Sequence, residues 1–108
     1  MSAKEKNLEI MMIFKECIPL LSVLSDIKRQ EIVLILSEVP EGLNVNAITE
    51  KIKLSRPAVS HHLKILKQAG IVDVNSKGIE NYYFLTLKDA VERLKELTTA
   101  IEQNCELK

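Results

Sequence analysis

Only two residues, Lys53 and Leu54, separate one helical pattern from the next at the centre of this chain. Upstream, Asn44 precedes Val45, Ile48 and Ile52, spaced i, i+3 and i+7 as on one helix face. Downstream, Ser55 stands as an N-cap, and Pro57 follows in the first turn, where a missing N–H costs little. This second helix is predicted over 55–69, with Gly70 as the residue just past its end. Two short helices joined that tightly form a helix-turn-helix, predicted over 45–69.

The flanks follow from the same signals. Residues 5–24 read as a first helix, and Pro19 is expected to kink or break it by removing a donor and clashing one turn back. Within it, Ile10, Met11, Met12, Ile13 and Phe14 are consecutive and cover every side of a helix. Such a helix is buried on more than one side. A second helix is predicted from Ser25 as N-cap to Ser37, burying Ile32, Ile35 and Leu36. After Gly70, the β-prone runs 71–75 and 80–85 flank a turn around Ser76, Lys77 and Gly78, giving a hairpin over 71–85. Thr86 and Asp89 have capping-box spacing and open a last helix. Its apolar residues Leu87, Ala90, Leu94, Leu97 and Ile101 alternate by three and four, a narrow seam that calls for a partner helix. That partner is either the first helix of the same chain or a second copy. With both, residues 1–24 and 86–103 form a shared dimer layer to which Met11 and Phe14 contribute.

One domain over 1–108 is therefore expected, mainly α with a small β-hairpin, in the order α-α-α-α-β-β-α. Composition narrows its setting. No apolar run approaches the ~18–20 residues needed to span a bilayer, and the N-terminal stretch lacks the long apolar core of a secretory signal. Cys17 and Cys105 are too few for a disulfide scaffold and show no CxxC spacing, which suits a reducing cytoplasm.

Fifteen basic and fifteen acidic residues leave no formal net charge. The average hides a division. From Lys51 to Lys77 there are six basic residues against the single acid Asp73, a net +5, so the remainder carries −5. Positive charge thus lies on the helix-turn-helix and hairpin, where phosphate neutralisation would supply non-specific affinity for nucleic acid.

At these residues a resemblance enters. The stretch LSRPAVSHHLKILKQAGIV followed by NYYFLT is similar to the recognition helix and wing of the ArsR/SmtB family of winged-helix repressors, and LSDIKRQEI resembles that family's second-helix opening. Ile27 stands where the family usually has proline, and the wing has one lysine where arginines are common. The resemblance implies a dimeric repressor that binds double-stranded DNA as an inverted repeat. On a recognition helix, Arg56 in the first turn is the expected base reader, because its planar fork matches guanine O6 and N7. Ser60 and His61 are expected to add base or phosphate contacts, and Ser55, Lys64 and Lys77 to position the backbone. Val59, Leu63 and Leu66 take the core side, while His62 is expected as a hydrogen-bonded structural histidine. Of Tyr82 and Tyr83, one packs inward and the other faces out.

The family often senses metals, yet Asn44 and Asn46 occupy the C-x-C positions of one thiolate site, and no histidine follows His62. Amide oxygens are poor ligands for soft or borderline metals. No metal site and no cofactor are expected. If the first and last helices pair, Cys17 and Cys105 make a candidate thiol switch; otherwise Cys17 is a small core residue and Cys105 a terminal one. No enzyme is expected either, since no acid–base or nucleophilic set surrounds the adjacent histidines. A protein-interaction module is the competing class.

Overall fold

The computed structural model describes residues 2–105. The elements follow in the order α1 (Ala3–Leu24), α2 (Ile27–Ser37), α3 (Val45–Lys51), α4 (Arg56–Gln68), β1 (Val72–Lys77), β2 (Glu80–Leu85) and α5 (Lys88–Asn104). This is the predicted series.

The core joins α2, α3 and α4 under the hairpin. Ile32, Leu36, Ile48, Val59, Leu63, Leu66 and Ile71 lose essentially all their solvent exposure in one cluster, with Leu20 and Val23 of α1 and Ala90 of α5 at its edge. The three residues predicted to turn α4 inward are among them. Burial of such aliphatic side chains contributes about 1.5–3 kcal/mol each relative to leaving them exposed.

The hairpin pairs Val72 with Leu85 through to Lys77 with Glu80, antiparallel. Its turn is Gly78-Ile79, so Ser76 and Lys77 of the predicted turn belong to β1 instead, with Gly78 at φ 64°. A two-residue turn with glycine at its first central position matches the right-handed twist of the strands. The free edge of β2 is partly covered by Leu43, which exchanges backbone hydrogen bonds with Tyr83 at 2.9 and 2.8 Å. This ties the loop before α3 to the wing and depends on Gly42. At φ 96° a Cβ on Gly42 would lie 2.7 Å from the Tyr83 carbonyl oxygen.

Three local expectations are corrected. Pro19 neither breaks nor ends α1, which continues through it to Leu24. Pro19 and Lys15 are both solvent-exposed, so the carbonyl that loses its helical donor opens toward water. Ser25 does not cap α2; its hydroxyl donates to the Ser22 carbonyl at 2.6 Å and closes α1. Asp26 is the N-cap, accepting from the Arg29 N–H at 3.0 Å. The Thr86–Asp89 capping box does not form either. Thr86 donates its hydroxyl to Gly70 O at 3.1 Å and its N–H to Ile71 O at 2.9 Å, fastening the end of the hairpin to the end of α4. Leu87 is left as an N-cap without a side-chain bond.

α1 and α5 pack on one another, with the Cys17 thiol donating to the Arg93 carbonyl at 3.6 Å. The radius of gyration is 17.1 Å and the longest dimension 55 Å; a compact domain of this length would have a radius near ~13 Å. The excess is a two-helix arm. Along it Cys17 and Leu97 are buried, and Ile10, Ile13, Leu94 and Ile101 half-buried. The apolar run Ile10–Phe14 is therefore covered on one side only. Met11, Met12 and Phe14 stay exposed.

Two outcomes check this account. Gly42→Ala should lose about 1–3 kcal/mol in urea unfolding, from strain at positive φ and the clash with Tyr83. The Arg29 N–H, and secondarily the charge of Arg29, hold the Asp26 carboxyl below its ordinary 3.8. Its contribution is complete above that ordinary value and disappears as pH falls through the lower native one. Asp26→Asn should therefore flatten the thermal midpoint between about pH 5 and about pH 2.

Candidate nucleic-acid interface

α3 and α4 are held at their crossing by caps of the same kind. Asn44 Oδ1 accepts from the Ala47 N–H at 2.8 Å, and Ser55 Oγ accepts from the Ala58 N–H at 3.3 Å. Between them the chain passes through Ile52, buried, and Leu54, half-buried, so the turn is pinned by apolar contacts. Ser55 therefore caps α4 through its hydroxyl oxygen, which accepts, while the O–H remains a donor.

The outward face of α4 carries Arg56, Ser60, His61 and Lys64, all exposed, as predicted. Arg56 is the first residue of the helix. Lys67 is exposed on the same helix, as is Lys53 in the turn. These two cations entered the charge count but were not singled out as contacts. The one ion pair among the described residues, Lys28 with Glu31 at 3.4 Å, lies on α2. Among the described residues, no cation of α3, α4 or the hairpin is in an ion pair. Lys77 is exposed on the wing with its ammonium 5.2 Å from the centre of the Tyr82 ring. Tyr83, the next residue, packs on the core, which settles which tyrosine turns inward.

Behind this face lies a residue that sequence reasoning passed over. Arg29 of α2 donates through Nε to the Val23 carbonyl at 2.7 Å and approaches His62 Nδ1 at 3.3 Å through Nη1. It links the end of α1, the start of α2 and the inner edge of α4. His62 is thus the hydrogen-bonded structural histidine expected. The pattern LSDIKRQEI contains Arg29, but only tertiary proximity assigns its partner, 33 positions away.

The candidate dimer residues divide. Met11 and Phe14 are exposed on α1. Ala90 and Leu97 are buried within the chain, and Leu87, Leu94 and Ile101 are half-buried. The α5 seam is thus covered in part within the chain, and most of the uncovered apolar residues lie on α1. Leu8, Met11, Ile18 and Leu21 lie along it, with Met12 at its margin. Cys17 is fully buried and Cys105 exposed, both as free thiols. Since Cys17 touches Arg93, about 16 Å of helix separates that level from the end of α5. Within one chain the two thiols are not brought together. Among the described residues no group of three or more His, Cys, Asp or Glu side chains is arranged to hold a metal, and no helix is long and apolar enough to cross a membrane.

Residues 26–74, from the N-cap of α2 into β1, match the family described as bacterial regulatory protein, arsR family. Over 56 residues the chain is 36% identical to an uncharacterised HTH-type transcriptional regulator of Methanocaldococcus jannaschii, covering 52% of this chain and 58% of that protein. Over 47 residues it is 43% identical to the transcriptional repressor SdpR of Bacillus subtilis, covering 41% of this chain and 52% of that one. The chain thus matches a little over half the length of these curated relatives. Among solved structures, a homodimeric winged helix-turn-helix DNA-binding domain from Mycobacterium bovis, a possible ArsR-family regulator, superposes with a TM-score of 0.65 at 22% identity. The match covers 86% of this chain and 83% of that one. The fold is a winged helix-turn-helix.

The two faces of α4 should respond oppositely to substitution. Leu63→Ala should cost about 2–5 kcal/mol of stability by opening a cavity at full burial. Lys64→Ala, one residue on, should stay within about 0.5 kcal/mol of wild type. Chemical unfolding of both variants checks this.

Proposed function

With residues 26–74 forming an arsR-family helix-turn-helix, we propose that the chain is a sequence-specific, double-stranded DNA-binding transcriptional regulator, a repressor that works in the cytoplasm as a homodimer. The family and fold are those of transcriptional regulators rather than enzymes. The observation that carries the reading is the outward face of α4, where Arg56, Ser60, His61 and Lys64 stand together without ion-pair partners.

The roles follow from chemistry. Arg56 leads the helix and reads guanine edges through its fork. Ser60 and His61 make shorter-range base or phosphate contacts, and Lys64 and Lys77 neutralise phosphates. Ser55 positions the backbone by donating its O–H to phosphate, while its oxygen caps the first turn of α4. Because the whole chain is electrically neutral, non-specific attraction is modest and discrimination depends on these side chains.

Dimerisation is supported by the two-helix arm. A pair of helices cannot enclose an apolar core between them, and this pair leaves Leu8, Met11, Phe14, Ile18 and Leu21 uncovered. A second copy of α1 is the simplest cover, and it makes a two-fold arrangement that reads an inverted repeat. Leu87, Ala90, Leu94, Leu97 and Ile101 of α5 complete the dimer layer, Ala90 and Leu97 from buried positions.

Selection of bound duplexes from a random pool tests the central reading; recovery of no preferred sequence would overturn it. On a selected duplex, Arg56→Ala should weaken specific binding by about 1–3 kcal/mol and relax base preference. Lys77→Ala should weaken all sequences alike and lower the salt slope by about one phosphate contact. In sedimentation, the wild-type chain should run as a dimer at micromolar concentration, and Ile18→Asp should run as a monomer. A protein-docking module would instead show a flat salt response.

A further inference from the structure

Arg29 and His62 meet between α2 and α4, and the chemistry of the contact decides where the imidazole carries its proton. A guanidinium only donates. With Arg29 Nη1 at 3.3 Å from His62 Nδ1, that nitrogen accepts, so the ring is neutral and its proton is on Nε2. An imidazolium cannot make this contact, because both of its nitrogens donate and both partners are then cations. Arg29 is itself held in place. Its Nε donates to the Val23 carbonyl at 2.7 Å, and its backbone N–H donates to the Asp26 cap at 3.0 Å.

The other groups around the ring set what a second proton would do. From α2, the Asp26 carboxyl, held low chiefly by the Arg29 N–H, also responds to charge on His62. On α4 itself, the His61 ring lies 6.1 Å away between centroids. The end of α1 presents the Val23 carbonyl, already taken by Arg29. A protonated His62 is therefore repelled by Arg29 and drawn toward Asp26.

His62 is half-buried, one residue before the buried Leu63 and one after the outward His61. The apolar stripe decides which face of α4 turns outward, but apolar contact is non-directional. A hydrogen bond is directional, and this one fixes the remaining roll of α4 against α2. Side chains that read a ligand need positions held to about 0.5 Å. Building on the DNA-binding reading, we propose that His62 is a positioning residue for sequence recognition, and that only its neutral form, accepting from Arg29, holds α4 in register with DNA. Imidazole changes charge between about pH 5 and about pH 8. By linkage, a DNA-bound state that requires the neutral ring loses affinity as pH falls. His61, exposed on the outward face, works in the opposite direction, since its proton adds a cation beside phosphate.

The experiment measures the affinity of the full chain for a duplex recovered from the random pool, at fixed salt, from about pH 8 down to about pH 5.5. His62→Leu, which cannot accept, should bind about tenfold more weakly than wild type at the alkaline end. His62→Gln offers Arg29 a neutral acceptor that does not titrate; it should recover most of that loss and keep it at the acid end. Wild type should fall about tenfold relative to His62→Gln across the range, with His61 common to both. In the free protein at the alkaline end, long-range proton–nitrogen spectra of the imidazole should show Nδ1 of His62 unprotonated. Parallel pH profiles for wild type and His62→Gln overturn the proposal, as does a proton on Nδ1. Either result, found for a chain that still selects a duplex, leaves the DNA-binding reading standing. A pool that yields no duplex removes both.

Discussion

Val59, Leu63 and Leu66 expose no surface, and their seating beside Ile32, Leu36 and Ile48 is the contact on which the rest of the molecule depends. A helix of thirteen residues is marginal on its own in water. Packed along one stripe, it acquires a fixed rotation, so that Arg56, Ser60 and Lys64 must face outward. The polar face has no intramolecular reason to be where it is. It is set by what the opposite face buries.

Smaller ties secure that orientation at both ends of α4. At its start the Ser55 cap sets the entry angle, and midway along it Arg29 reaches His62 from α2. At its end, Thr86 holds the Gly70 carbonyl, and Gly42 allows Leu43 to join the wing. These contacts couple α4, the hairpin and the loop before α3 into one unit. The α1–α5 pair adds a second layer that shares only its inner end, at Leu20, Val23 and Ala90, with that core. The outer part of the arm is consequently apolar on a face that the chain itself never covers.

Much of this was legible in the residues. Asn44, Ser55, Pro57 and Gly70 mark helix ends through short-range backbone chemistry, which the local sequence largely decides, and all four act where the pattern puts them. The stripe Val59-Leu63-Leu66 has one interpretation because a helix has one period. The failures were places where two local solutions compete. Ser25 and Asp26 are adjacent cap candidates, and the serine hydroxyl is drawn off to Ser22 at the end of α1. Thr86 has the right spacing for a capping box, but its hydroxyl finds the Gly70 carbonyl, sixteen positions back. Pro19 carries the ordinary signal for a break, yet α1 continues through it, with Pro19 and Lys15 both on the solvent side.

By itself, the sequence determined the order of elements, the tight helix-turn-helix, the inward and outward faces of α4 and the concentration of positive charge there, since each depends on residues close in the chain. Tertiary structure alone decided which apolar face meets which. The α5 seam is covered in part by α1, while most of the apolar residues left open lie on the other side of α1. A helix with apolar residues all round gives no local indication of which side its own chain will cover. That choice depends on where a helix more than seventy residues later comes to rest. It also separated Cys17 from Cys105 and drew Arg29 to His62.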